Sequence, residues 1–123
     1  MKSNLKDIIE AIPDFEDLMK LADEIRQLSF YKMQLENKLK GREALIFQEA
    51  MSRPLENGKF PSASFVTNAY LHTGFNGELM EDREKLAQTI SDLEEKKIQL
   101  SIYRDMLEVF RTVSANERST VAY

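Results

Sequence analysis

Five leucines, Leu79, Leu86, Leu93, Leu100 and Leu107, stand seven residues apart without a break. An α-helix nearly repeats its facing every seven residues, so this spacing lays all five side chains along one seam and requires a second apolar surface to cover it. A strand cannot use the pattern, because its side chains alternate faces with a period of two. The same chain supplies a partner. From Asp14 to about Met51, Leu18, Ile25, Leu39 and Ile46 share one heptad position, and Leu21, Leu28 and Leu35 share another. Two such helices joined by a compact insert bury each other's seams when the second folds back on the first. The expected fold is therefore all-α, an antiparallel helical hairpin or coiled coil of two long helices, with a short helix in the connecting insert.

Punctuation along the chain sets the expected boundaries within one domain. Pro13 marks a helix start, with Asp14, Glu16 and Asp17 in a first turn whose dipole favours negative charge, and the helix runs over 14–51. Lys32 and Arg42 interrupt its apolar seam, and Gly41 costs about 1 kcal/mol relative to Ala, which makes a bend or weak point near 41 an expectation. Ahead of it, Leu5, Ile8, Ile9 and Ile12 have the spacing of a short separate helix over 1–13. Residues 52–78 carry the turn chemistry of Arg53-Pro54, Asn57-Gly58 and Phe60-Pro61. Within them a short helix is predicted over about 63–72, capped by Ser62 or Ser64, with Phe65/Ala69 and Val66/Tyr70 as pairs four apart and Gly74 ending it in a left-handed conformation. The second long helix is read over 79–114 and a polar tail over 115–123.

Composition narrows the chemistry. The chain has 123 residues, no cysteine and one histidine, His72. Disulfides, thiolate nucleophiles, cysteine zinc sites and two-histidine metal sites are thereby excluded. Glu81 and Asp82, like Glu94 and Glu95, are sequence neighbours that point apart on a helix, so no acid/base pair emerges, and neither a phosphate-cradling glycine loop nor a calcium loop is present. The reading is of a protein that is not an enzyme and uses no cofactor, metal or small-molecule substrate. No stretch approaches the length of an apolar membrane span, and the acidic residues at the start do not fit a secretory leader. A cytoplasmic location follows as an expectation, in the host cytoplasm if the source is viral.

The net charge of −4 hides a segregated distribution: residues 25–42 carry five basic residues and one acidic, against three and seven in 1–24. Along the second helix, Lys97, Arg104, Arg111 and Arg118 are also seven apart. Successive members lie about 10 Å apart along the axis, a spacing at which long cationic side chains can follow a nucleic-acid backbone. The same positions also suit ion pairs with a neighbouring helix. Lys38, Lys40 and Arg42 on the first helix complete the candidate nucleic-acid contacts. The insert's Phe60, Phe65, Tyr70 and Phe75 could stack on unpaired bases or plug the open end of the hairpin. Beyond Ile98 the apolar pattern widens past what one partner helix can cover, which predicts docking of the N-terminal helix or self-association through Ile102, Met106, Val109, Phe110 and Val113, with a homo-oligomer as the expectation.

A long helix ending in NKLKGRE, a compact insert, and a second long helix with leucine heptads ending in YRDMLEVFRTVSANERS resemble in layout, over roughly 18–118, the UvsY-type recombination mediators of bacteriophages. That resemblance implies a small helical homo-oligomer that binds single-stranded DNA and helps load a recombinase, with Lys38, Lys40, Arg42, Lys97, Arg104, Arg111 and Arg118 as the corresponding contacts. The expected function is a phage-type accessory protein that self-associates and binds nucleic acid. The alternatives are an acidic protein-interaction module, such as an anti-CRISPR-like viral inhibitor of a host nucleoprotein, and a prefoldin-like adaptor. For the latter, residues 52–78 lack the β-rich hairpins that the prefoldin family places between its helices.

Overall fold

The computed structural model describes residues 14–121, and side chains up to 117. The short helix expected over 1–13 lies outside the described residues. Helix α1 spans Phe15–Ser52, helix α2 spans Ala63–Val66 and continues as a π-helical turn over Thr67–Leu71, a 3-10 turn follows over Phe75–Gly77, and helix α3 spans Met80–Val121. No strand occurs among the described residues. The chain is all-α, with two long helices packed antiparallel and a short, bent helix between them. Helix α1 passes through Gly41 with its hydrogen bonding intact, and α3 runs on past 114 into the residues read as a tail.

Two compact units partition the chain: Ser29–Ser91, and the outer segments that end at Leu28 and resume at Asp92. In the unit Ser29–Ser91 the core is built from Leu39 and Ile46 of α1 and Leu79 at the entry to α3, with Tyr70, Phe75 and Leu86 packed against it. Leu79 and Val66 are fully buried. The packing is antiparallel, the start of α3 meeting the later half of α1: Asp82 pairs with Lys38 and Arg42, and Arg83 with Glu43. In the outer unit Leu21 and Leu93 are buried, and Glu24 meets Lys96 at 2.9 Å.

The insert closes the hairpin by local chemistry. The Ser62 hydroxyl accepts from the Phe65 N–H at 3.1 Å and caps α2, as one of the two predicted serines. The π turn then shifts the pairing of side chains, because its bonds reach five residues ahead rather than four. Phe65 therefore meets Tyr70 edge to face, with ring centres 6.3 Å apart, where the pattern predicts Val66/Tyr70. Gly74 terminates the turn at φ +75° and ψ −173°, a region open essentially to glycine alone. A Cβ there would stand 2.8 Å from Glu78 Cγ, 3.0 Å from Leu79 Cγ and 3.1 Å from Ile46 Cδ1.

Glycines 41 and 74 should consequently respond in opposite directions. Gly74→Ala should cost more than about 1 kcal/mol, whereas Gly41→Ala, with open space around it, should stabilise by about 0.5–1 kcal/mol. Leu79→Ala should cost about 2–5 kcal/mol. Urea unfolding followed by circular dichroism measures all three, and equal midpoints for the two glycine variants would contradict this account of the insert.

Candidate nucleic-acid and partner interfaces

The heptad explains where polar groups enter the packing. With Leu79, Leu86 and Leu93 at one core position, Asp82, Thr89 and Lys96 fall three residues later at the other. Helix α1 carries Arg42 at the corresponding interruption of its own seam. The structure brings these interruptions together. Asp82 is buried, 4% exposed, and accepts from the Arg42 guanidinium and from Lys38 Nζ at 3.4 Å. The Arg42 hydrogen bond, helped by Lys38, outweighs burial and holds the Asp82 carboxyl below its ordinary value of 3.8. One residue on, the charges are exchanged: Arg83 Nη2 meets Glu43 Oε1 at 2.5 Å and donates to the Leu71 carbonyl at 2.8 Å, while its Nε donates to the His72 carbonyl. Arg83 thus satisfies carbonyls at the end of the π turn, a task basic side chains commonly perform at helix C-termini.

Thr89 is the neutral member of this series, and its hydroxyl donates to the Lys85 carbonyl one turn back at 2.8 Å. In the outer unit Lys96 lies beside Glu24. Their hydrogen bond lowers the Glu24 pKa and raises that of Lys96. The pair flanks an open polar cleft of about 300 Å³ that also borders Lys20, Gln99 and Tyr103, with Gln99 donating to the Tyr103 hydroxyl at 2.9 Å.

The seven candidate cations divide by environment. Lys38 and Arg42 are engaged with Asp82 inside the unit Ser29–Ser91. Lys40, in the same unit, is exposed and makes no ion pair with a described residue. In the outer unit Lys97, Arg104 and Arg111 are all exposed. Lys97 lies 3.9 Å from Glu94 and Arg111 lies 2.8 Å from Glu108, each an acid one turn back on α3 itself, and Arg104 has no acidic partner among the described residues. Arg118 belongs to α3, and its side chain lies outside the described residues.

Of the candidate interface residues, Ile102 and Val109 are exposed, whereas Met106, Phe110 and Val113 are half-buried. In the insert, Tyr70 and Phe75 are half-buried with ring centres 5.0 Å apart, and the Arg53 guanidinium covers Phe75 at 4.8 Å from its centre. These two rings plug the hairpin end; Phe60 and Phe65 remain exposed. The His72 side chain is exposed, and no cluster of acidic residues and histidine among the described residues could hold a metal ion. No described helix is long and apolar enough to cross a membrane. Comparison with known protein families, curated proteins and solved structures finds no match to the chain.

Sequence reading missed Asp82 and Arg83 as partners. The signal available was positional: Asp82 stands three residues after a seam leucine, where a coiled coil expects an apolar side chain, just as Arg42 does on the other helix.

An acid-side stability loss should follow. Because the Asp82 pKa is lowered on folding, its contribution is complete above its ordinary value of 3.8 and is lost as the pH falls from there through the folded value. Asp82→Asn should cost about 1–3 kcal/mol at pH 7 and should flatten the fall in stability below pH 4. Unfolding midpoints measured between pH 3 and 7 test this, and parallel profiles for parent and variant would contradict it.

Proposed function

We propose that the protein is a non-enzymatic accessory protein that binds single-stranded nucleic acid through the cationic strip of α3. The observation carrying this reading is that Lys97, Arg104 and Arg111 face solvent and spend none of their charge on α1. Their own-helix glutamates hold Lys97 and Arg111 only by exposed contacts one turn apart, and such pairs are worth about 0.2–0.5 kcal/mol. A phosphate can replace them at little cost. Flexible single strands suit the strip, since its members are about 10 Å apart along a straight axis and no groove-shaped surface is required. Layout resemblance to UvsY-type mediators points the same way. Lys38 and Arg42 play a different part in this reading, because Asp82 already engages them.

Binding should then depend steeply on salt. Each phosphate contact removed lowers the magnitude of the log K against log salt slope by about 0.7 for single strands. Arg104→Ala combined with Arg111→Ala should therefore lower the slope by about 1.4 with helicity unchanged. Fluorescence anisotropy with a labelled oligothymidylate between low and moderate salt measures it. Absence of binding by the parent at low salt, or an unchanged slope in the double variant, would overturn the proposal.

A further inference from the structure

The opposite flank of α3 carries a second surface. Ile98, Ile102 and Val109 are 60%, 50% and 54% exposed. At 100° per residue they fall within about 40° of one another and form a straight strip about 16 Å long. Side chains of this size left in water in one line mark an interface rather than random surface exposure. The rim of the strip is acidic. Glu94, Glu95 and Asp105, all exposed, lie within about 60° on either side, and no lysine or arginine of α3 in this unit falls in that arc. Lys96 turns inward to Glu24, and Lys97, Arg104 and Arg111 lie about 120–160° around the helix.

From this juxtaposition we infer that the Ile98/Ile102/Val109 strip is a docking site for an amphipathic helix of a partner protein, apolar on the contacting face and flanked by lysine or arginine. The spacing i, i+4, i+11 is that of anchors along one face of a packed helix pair. The acid rim selects among possible covers. The sequence alone suggested a second copy, but two copies meeting on this strip would bring Glu94, Glu95 and Asp105 to a contact that offers them no cation in return. Phosphate backbones and anionic lipid are repelled by the same carboxylates. A basic amphipathic helix covers the apolar strip and neutralises its rim, which supplies both affinity and discrimination. The apolar side chains of this surface are distinct from the cations of the other flank, the two meeting where Glu94 of the rim lies 3.9 Å from Lys97.

The test uses the full chain and a designed helical peptide about four turns long, with leucines on one face and lysine flanks. Two controls accompany it: a scrambled peptide of the same composition and a version with glutamate flanks. Anisotropy titration should show the lysine-flanked peptide binding at least about tenfold more tightly than either control. Ile102→Gln with Val109→Gln, both exposed positions, should weaken that binding about tenfold with helicity retained. Glu95→Lys with Asp105→Lys should transfer the preference to the glutamate-flanked peptide. Arg104→Ala with Arg111→Ala should leave peptide binding unchanged. Equal binding of the scrambled peptide, insensitivity to the strip variants, or sedimentation of the parent as a dimer that the strip variants convert to monomer would each overturn the inference.

Discussion

A buried carboxylate held by two cations organises the unit Ser29–Ser91. Asp82 occupies a core position of α3, and taking it out of water without compensation would cost several kcal/mol. Arg42 and Lys38 supply that compensation only when α1 lies antiparallel with residues 38 and 42 beside 82. A slip of one heptad would put Tyr31 and Leu35, or in the other direction Leu45 and Glu49, where Lys38 and Arg42 now stand, and neither set offers Asp82 a cation. The ion pair is therefore better understood as a selector of register than as a source of net stability, in the way single polar residues fix alignment in coiled coils.

The neighbouring pair reinforces the choice. Arg83 and Glu43 repeat the contact with the charges exchanged, so that adjacent positions of each helix carry opposite signs and only one alignment satisfies both. Arg83 also extends the constraint into the insert by donating to the Leu71 and Leu71-adjacent His72 carbonyls. From there Gly74 lets the backbone turn close enough to Ile46 and Leu79 for the core to shut, which a side chain at that position would prevent. Core, register and connection are in this sense one structural problem with one solution.

Helix α3 in the outer unit shows a different distribution of groups. Its inward face holds Leu93 and the Lys96 contact to Glu24, and its two flanks differ in character, one cationic and one apolar with an acidic rim. Lys97 touches both flanks, since its partner Glu94 belongs to the acidic rim. The cationic flank matches the chemistry of phosphate, and the other flank matches that of a basic amphipathic segment.

Much of the architecture was legible in residue order. The leucine heptads, the turn residues of 52–62, Ser62 and Gly74 each act through local periodicity or backbone preference, and local rules place the helices and the turns between them. Sequence spacing also set Lys97, Arg104 and Arg111 along one side of α3, but it grouped Ile102 and Val109 with Met106, Phe110 and Val113, which packing divides into exposed and half-buried positions. What it left open was partnership. The role of Arg42 and Lys38 as ligands of Asp82, the engagement of Arg83 with two carbonyls, and the five-residue offset that pairs Phe65 with Tyr70 depend on contacts between distant segments or on a turn geometry with no residue signature. Charge and burial belong to pairs of residues, and only the packed tertiary structure decides which pairs are made.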